Sequence, residues 1–445
     1  MSARNADISK GIDWLLVGLY MILCAIGVLS IFGATYKEGE NIIQSFTAFQ
    51  TDYSKQFYFW ILAMVVAIAI LVTDSKFFTA TANLWYAFGI LLLLLVFPFH
   101  TEIKGTRSII RFGGFQLQPA DLCKVFVALA LAKYLSRVET DFSKTRSQLI
   151  ATAIALAPAI MSILQQETGL ALVYFSFFLV MFREGLPAGI LIIGFSFAVL
   201  VVATLLLDPN TLALILTGIA LVAIYILRKQ IKRKKQLLVT IVGIWMVCVG
   251  IQRFLVPYVF ESVLQPYQVK RIYDTIGKDY VPAGGTVLLE EATPRKKDDG
   301  GDYNVKQSKI AIGSGGFAGK GLLKGTQTRY DFVPEQRTDF IFCTIGEGFG
   351  FVGSFLLMGV YFVLLMRIVT IAERQRSVFS RAYAYGVASV LFFHIAINIC
   401  MTIGLAPVIG IPLPFISYGG TSLLTFTAAL FILIRLDADR QMVLR

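Results

Sequence analysis

Residues 12–32 read IDWLLVGLYMILCAIGVLSIF, an almost unbroken apolar run. A helix rises about 1.5 Å per residue, so this run is long enough to cross a hydrocarbon core of roughly 30 Å. It is also too long for the apolar core of a cleavable signal peptide. Further apolar runs follow at 57–73, 82–99, 119–136, 148–164, 169–183, 187–207, 211–227, 236–258, 342–366, 382–405 and 419–436. The sequence therefore predicts an all-α polytopic membrane protein with about twelve transmembrane helices.

The composition agrees with this class. The chain has 445 residues, of which 56% are hydrophobic and 15% are charged, whereas a soluble domain carries about 25% charged residues. Five scattered cysteines and two histidines suit neither a disulfide framework nor a zinc site. Lysine and arginine in cytoplasmic loops explain the net charge of +12 better than nucleic-acid binding does.

Basic residues in the short loops indicate the orientation. With both termini in the cytoplasm, the inner connections carry Lys and Arg, whereas short outer connections such as 208–210 and 406–418 carry none. This pattern requires two spans, at 187–207 and 211–227, before the basic run at 228–235. It also places residues 259–341 outside as a large extracytoplasmic loop, which includes a flexible insert at 277–301.

The outer loop contains the glycine-rich stretch IGSGGFAGKG at 312–321. A Walker A loop needs a glycine where Ser314 stands and a Ser or Thr where Gly321 follows Lys320, so the stretch does not predict nucleotide binding. Two interpretations stay open. The stretch is either a turn packed at an interface or a backbone that approaches a bulky polar headgroup, and glycine suits both.

Charged residues surround this stretch. Six basic residues and three acids lie between Tyr303 and Asp339, and a net positive loop at the outer face suits a phosphate-bearing ligand. An ordinary solvated loop is the alternative. Glu335, Arg337 and Asp339 stand directly before a span, where ionisable groups are costly unless they pair or face a cavity.

Two further segments place polar groups at the membrane. Asp121 and Lys124 are three residues apart and share a helix face, with Lys124 roughly 8 Å below the helix start. The lysine either snorkels or faces an inner groove beside Asp121, and we favour the groove. The prolines and glycines of residues 404–422 break the helical pattern, which is tolerated inside protein or along a cavity. We expect the segments 107–124, 303–341 and 404–422 to meet at the outer mouth of a groove.

Together these motifs resemble the SEDS family, the shape, elongation, division and sporulation proteins, and in particular its RodA branch. The resemblance covers nearly the whole chain except the inserts. It implies one membrane domain over residues 1–445 with a ten-helix core, so that the pair at 187–227 is extra. The residues that carry it are QPADLCK (118–124), QQETG (165–169), PYQVKRI (266–272), YNVKQSKIAIGSGGFAGKG (303–321), GTQT (325–328), VPEQRTDFIF (333–342) and PVIGIPLPFISYGGTS (407–422).

The resemblance implies a peptidoglycan glycosyltransferase in the plasma membrane. Such an enzyme adds lipid II units to growing glycan strands during cell elongation and releases undecaprenyl pyrophosphate. The implied partner is a class B penicillin-binding protein, the transpeptidase of the elongation machinery, and a divalent cation (Mg²⁺ or Mn²⁺) is an implied cofactor. A flippase for lipid II is the alternative, but it needs a polar path across the whole bilayer, and these motifs are concentrated outside.

The resemblance also implies site residues. The family's essential aspartate precedes a Tyr-x-x-x-Gln-Ser motif, which here begins at Tyr303. The insert blurs the register, so the expected catalytic residue is Asp299 and then Asp298, with Asp302 and Asp279 as further alternatives. Arg337 stands where the family usually has histidine, and Gly348 replaces the second acid of a Gly-Glu-Glu motif. The expected substrate-binding residues are Arg107, Asp121, Lys124, Gln307, Lys309, Lys320, Glu335 and Asp339.

Overall fold

A computed structural model describes residues 11–36, 39, 41–47, 49–103, 106–112, 115–263, 269 and 300–440. The chain divides into two compact units, one made of Met1–Pro187 and Tyr303–Arg445 and the other of Ala188–Asp302. Among the expected catalytic residues, Asp279, Asp298 and Asp299 lie outside the described residues.

The described chain is built mainly of helices. Up to residue 183 the elements are α1 (Trp14–Thr35), α2 (Ile42–Thr47), α3 (Asp52–Val72), α4 (Ser75–Phe99), β1 (Thr101–Ile103), β2 (Thr106–Phe112), β3 (Phe115–Leu117), α5 (Pro119–Leu135), α6 (Thr145–Leu164), α7 (Thr168–Tyr174) and α8 (Phe177–Arg183). The second unit contains α9 (Ala188–Leu206), α10 (Pro209–Ile226), α11 (Arg228–Arg233) and α12 (Gln236–Gly250), which π-helical turns continue to Val263. The remaining elements are α13 (Gly300–Ser314), α14 (Thr326–Arg329), α15 (Ile341–Glu373), α16 (Val378–Thr402) and α17 (Gly420–Ala438).

Nine helices in the described part of the chain are long and apolar enough to span a membrane, which confirms the polytopic helical class. They are α1, α3, α4, α6, α10, the extended α12 (Gln236–Tyr258), α15, α16 and α17. Helix α5 coincides with a predicted span but has only 17 residues. The predicted run 169–183 is divided into the short helices α7 and α8, and α9 contains a shorter apolar stretch.

Helix α4 begins seven residues before the predicted apolar run. Asp74 caps it by accepting a hydrogen bond from the backbone nitrogen of Lys76, at 3.0 Å. The first turns contain polar residues, so hydropathy marks where the apolar run starts and the cap marks where the helix starts. The helix therefore already carries Lys76 and Thr79 before the predicted apolar run begins at residue 82.

A small antiparallel sheet, β1-β2-β3, precedes α5 and is absent from the sequence prediction. Strand β2 pairs with β3 through Ile110 opposite Leu117 and Phe112 opposite Phe115. The signal was present, because short apolar stretches in TEIKGTRSIIRFGGFQL are separated by glycine-containing turns. The sheet leads the chain into Pro119, which occupies the first turn of α5 and suits a helix start.

Helices α5, α16 and α17 pack against one another at the centre of the first unit. In the most apolar windows of α16 and α17, 56% and 72% of the residues are buried. Polar side chains on these helices are therefore removed from solvent, and each needs a partner inside the protein. This arrangement determines the surroundings of Lys124.

Candidate active site

The predicted ion pair on α5 is present and buried. The Lys124 ammonium lies 2.5 Å from Asp121 Oδ1, and the two side chains are 1% and 2% exposed. An unpaired charge at this depth would be very costly, so each group stabilises the other. The lysine does not snorkel to solvent, and of the two interpretations the structure supports the inward-facing one.

His394 on α16 is the second partner of this lysine. Its Nε2 lies 2.8 Å from Lys124 Nζ, and its Nδ1 lies 3.2 Å from the carbonyl oxygen of Pro412. Lysine only donates hydrogen bonds, so Nε2 accepts and Nδ1–H donates to the carbonyl, which assigns one neutral tautomer. The ring of Phe426 on α17 lies 5.5 Å from the ammonium and closes the site from another side.

His394 belongs to a polar stripe on α16 that the sequence analysis missed. Asn398, one turn further on, donates to the carbonyls of Asp339 at 2.8 Å and Ile411 at 2.7 Å. After another turn, the carbonyl of Thr402 accepts from the Ser308 hydroxyl of α13 at 2.9 Å. The signal was the spacing of four residues between polar groups on an apolar helix, which places them on one face.

The irregular segment after α16 packs inside the protein. Its backbone carbonyls accept hydrogen bonds from side chains of the surrounding helices, as unpaired carbonyls in a membrane protein would be costly. Tyr361 donates to Pro414 O at 2.6 Å, and Gln56 donates to Ser417 O at 3.4 Å. Together with His394 and Asn398, these donors hold the segment in place over α5.

The three polar segments are in contact. Thr421 donates to the carbonyl of Gln116 at 2.6 Å, which joins the end of the irregular segment to β3. The Ser417 hydroxyl donates to the carbonyl of Thr338 at 2.6 Å, and the backbone nitrogen of Tyr418 donates to the carbonyl of Arg337 at 2.9 Å. These bonds bring residues from 107–124, 303–341 and 404–422 to one end of the bundle.

The glycine-rich loop packs against a break in α15. Gly350 has φ +64°, ψ −157° and interrupts the helix. The nitrogens of Phe351 and Val352 donate to the carbonyls of Gly316 and Phe317, at 2.9 and 3.1 Å. In return, the nitrogen of Lys320 donates to the carbonyl of Glu347 at 3.0 Å. Loop and helix therefore satisfy the backbone groups that the break leaves open.

Two glycines of this loop are required by close packing. A Cβ on Gly315 would lie 2.0 Å from the carbonyl oxygen of Gly346, and a Cβ on Gly319 would lie 2.2 Å from that of Gly348. Gly319 also has φ +83°, which favours glycine. Of the two interpretations of the loop, the structure supports the packed interface for these two positions.

Glu347, which the sequence analysis also missed, holds this loop with its carboxylate. Its side chain is fully buried and accepts from the Lys320 ammonium and the Gln327 nitrogen, both at 3.0 Å, and from the Thr328 nitrogen at 2.9 Å. Lys320 is thus the counter-ion of a buried acid. A carboxylate with this many donors needs no further ligand.

The other expected substrate-binding residues lie around this end of the bundle. Glu335 has φ +58° and accepts from the Thr338 hydroxyl at 2.9 Å. The Asp339 carboxylate lies near Gly410, 3.5 Å from the position that a Cβ there would occupy. Lys309, exposed on α13, lies against Gly404. Gln307 is half-buried on the same helix, and Arg107 is exposed on β2.

Arg337, which replaces a usual family histidine, forms an ion pair with Asp52 at the start of α3. Tyr418 lies beside this pair. Burial, together with the nearby Asp52 charge, raises the pKa of the Tyr418 phenol to about 12. The phenol therefore keeps its proton, and its hydrogen-bond donor, above the pH range in which an ordinary tyrosine ionises.

In the part of the chain that the structure describes, no group of three or more His, Cys, Asp or Glu side chains is arranged to hold a metal ion. The expected catalytic acids, Asp298 and Asp299, lie outside that part. The described residues therefore do not supply a ligand set for the expected Mg²⁺ or Mn²⁺.

These features define a polytopic helical membrane protein with a buried polar centre beneath an irregular segment. Residues 13–233 and 183–442 match the FtsW/RodA/SpoVE family, which is described as cell cycle proteins, and the chain belongs to this family. Residues 183–233 are covered by both matches.

Individual relatives agree in length and fold. The peptidoglycan glycosyltransferase RodA of Treponema pallidum is 29% identical over 447 residues, covering 96% of this chain and 97% of the relative. The crystal structure of the rod shape determining protein RodA of Thermus thermophilus has a TM-score of 0.60 and 22% identity, covering 97% of this chain and 98% of that chain. A structure from a peptidoglycan synthase complex that coordinates polymerization and crosslinking has a TM-score of 0.64 and 24% identity, covering 96% and 98%. The structural likeness shows the RodA-like fold.

Proposed function

We propose that this protein is a peptidoglycan glycosyltransferase that polymerises lipid II into glycan strands. One observation carries the proposal. The chain matches the family nearly end to end, and a full-length relative is named as a peptidoglycan glycosyltransferase. The buried centre of Asp121, Lys124 and His394 supports it, because ionisable groups inside a membrane protein are costly and mark functional sites.

The proposed reaction joins a sugar hydroxyl to the anomeric carbon of a lipid-linked sugar. The bond from that carbon to the pyrophosphate oxygen breaks, and the pyrophosphate leaves with its lipid. A carboxylate accepts the hydroxyl proton, and we assign this role to Asp299 first and Asp298 second, with Asp302 and Asp279 as further alternatives. Cationic side chains offset the charge that develops on the leaving group.

For the cations we propose different roles. Arg107 and Lys309 are exposed at the end of the bundle where the polar segments meet, so both suit contact with a diphosphate. Lys320 is held by Glu347, and we assign it to fixing the glycine-rich loop rather than to binding phosphate directly. Asp121 and Lys124 are buried below the surface and act by shaping the site.

The proposal also covers the number of membrane spans, the orientation of the protein in the membrane and a divalent cation. We keep the expectation of ten core spans plus an extra pair at 187–227 as part of the proposal. The termini are cytoplasmic and the residues near 300–340 extracytoplasmic in the plasma membrane, by the positive-inside rule. A divalent cation is also proposed, but no ligand is assigned to it.

The proposed partner is a class B penicillin-binding protein of the elongation machinery. A structure similar to this chain comes from a peptidoglycan synthase complex, which supports a transpeptidase partner. Co-purification of the two full-length proteins tests the pairing.

The decisive experiment supplies fluorescent lipid II to the purified protein, alone and with its cognate penicillin-binding protein. We expect glycan chains from the native protein and none from Asp299→Asn, while Glu139→Gln, a change in an inner loop, leaves synthesis intact. Synthesis by Asp299→Asn would move the role to Asp298 or its alternatives. Translocation of lipid II in vesicles without any polymer would favour a flippase and overturn the proposal.

A further inference from the structure

The second unit carries a dense group of positive charges that the proposed reaction does not use. We define the basic turn as residues 228–235, which connect α10 and α12. Six of these eight residues are Lys or Arg, namely Arg228, Lys229, Lys232, Arg233, Lys234 and Lys235. No acid occurs between Pro209 and Phe260, so the whole helix pair is positively charged.

All six basic side chains are exposed in the structure. None of them forms an ion pair with another residue in the described part of the chain. The Arg228 guanidinium lies 4.7 Å from the centre of the Tyr225 ring, which holds one charge at the end of α10. The remaining charges are thus available to a ligand.

The basic turn lies beside lipid-facing residues. Ile226 and Val239, on either side of it, are 70% and 72% exposed. Val239 is only four residues from Lys235, a rise of roughly 6 Å along a helix. The turn therefore lies at the depth of the lipid headgroups, and its basic side chains can contact them directly.

The helix pair is held together at several levels. Trp245 donates to the Thr217 hydroxyl at 3.1 Å in the middle of the helices. At the far end, Gln252 donates to the carbonyl of Pro209 at 2.6 Å, and Arg253 donates to Asn210 at 3.3 Å. These bonds fix α10 against α12, so the basic turn is a defined end of a hairpin.

We propose that the basic turn binds the headgroups of anionic phospholipids in the adjacent membrane leaflet. Clustered Lys and Arg directly beside a transmembrane helix attract anionic lipids, with about a fivefold gain in affinity for each charge. A lipid is favoured over an acidic protein because the headgroups are already at this depth. Helix α11 has only six residues and presents no extended surface for a protein partner.

The test places a fluorophore on the turn. Gln230, exposed within it, is changed to Cys in a background with Cys248→Ser and Cys400→Ser, because the other three cysteines are buried. The labelled full-length protein is reconstituted in phosphatidylcholine with 5-doxyl phosphatidylglycerol or 5-doxyl phosphatidylcholine. We expect half-maximal quenching at a several-fold lower mole fraction of the doxyl phosphatidylglycerol than of the doxyl phosphatidylcholine. This preference should weaken at high salt.

Two matched variants decide whether the charges of the turn cause this preference. Lys234→Gln/Lys235→Gln removes two of the six charges and reduces the several-fold preference toward parity, whereas Lys234→Arg/Lys235→Arg retains it. Lys144→Gln/Arg146→Gln removes two exposed charges from another connection and leaves quenching at position 230 unchanged. A sidedness assay with a membrane-impermeant maleimide shows that each variant keeps its orientation.

Several outcomes would overturn the proposal. Equal quenching by the two lipids in the native protein would show that the turn does not distinguish headgroup charge. Retention of the preference in Lys234→Gln/Lys235→Gln would assign it to other residues. Displacement of the lipid by submillimolar inorganic pyrophosphate would point to a soluble phosphate ligand, and displacement by poly-glutamate at low concentration would point to an acidic protein.

Discussion

Lys124 Nζ and His394 Nε2 lie 2.8 Å apart although the two residues are separated by 270 positions in the chain. The contact joins α5 to α16, and the other ring nitrogen of His394 joins α16 to the irregular segment at Pro412. One imidazole therefore connects the buried ion pair with the backbone that covers it. This relation has consequences that can be measured.

Removing the charge of Lys124 should lower the free energy of unfolding of the protein. Lys124→Met leaves Asp121 buried without its partner, which costs about 3–5 kcal/mol. Asp121→Asn/Lys124→Met removes both charges, so we expect stability to recover in large part. Lipid II polymerisation should be absent in both the single and the double variant. Thermal unfolding in detergent together with the lipid II assay measures both effects. A double variant as unstable as the single one would contradict a paired role.

His394→Phe should lower both stability and polymerisation. The phenyl ring fills the space but removes the donor to Pro412 O, at about 1–3 kcal/mol, and takes from the ammonium one of its two partners while Asp121 remains. The other histidine, His100, provides the control, because its Nδ1 lies 2.9 Å from the carbonyl of Phe97 at the end of α4. His100→Phe should behave like the native protein, and equal losses in both variants would argue against the assigned role.

Gly319→Ala should disrupt the packing of the glycine-rich loop on α15. The new Cβ would overlap the carbonyl of Gly348, and the residue has a left-handed backbone, so we expect a loss of about 2–4 kcal/mol. Gly313→Ala is the control, since its Cβ would meet open space on α13. Differential scanning fluorimetry compares them, and an unchanged melting temperature for Gly319→Ala would contradict the structure here.

Glu347→Gln should loosen the loop between Ser314 and Thr328. The amide cannot match the charge-assisted bonds to Lys320 and to two backbone nitrogens, so we expect a loss of about 1.5–3 kcal/mol. Limited proteolysis should cut this loop faster. Glu373→Gln, which breaks a half-exposed pair with Arg183, should cost less than about 1 kcal/mol. Equal protection of the loop in both variants would refute the role of Glu347.

The sequence predicted some features well because they depend on neighbouring residues. The pairing of Asp121 with Lys124 follows from their spacing on one helix, and the run at 236–258 reports a span directly. The spacing on α16 could have marked His394 as one of a polar stripe, but the partners of His394 and Glu347 could not be assigned, since they are not neighbours in the chain. The sheet at 101–117 had a local signal that hydropathy alone does not register.

The glycine-rich stretch shows the same division. Its composition indicated that backbone comes close to something, and both an interface and a ligand were consistent with that. The contact of Gly315 and Gly319 with the carbonyls of α15 identifies the neighbour as protein. Lys320, expected at a phosphate, lies on Glu347 for the same reason, because the loop is folded back onto the helix break.

By itself, the sequence determined that this chain spans a membrane many times as helices. An unbroken apolar run of about 20 residues satisfies its backbone hydrogen bonds in lipid within a single helix. Only the tertiary structure decided which buried polar groups face each other, because the packing of α5, α16 and α17 brings together residues that are far apart in the chain. The position of Lys124 between Asp121 and His394 is a property of that packing.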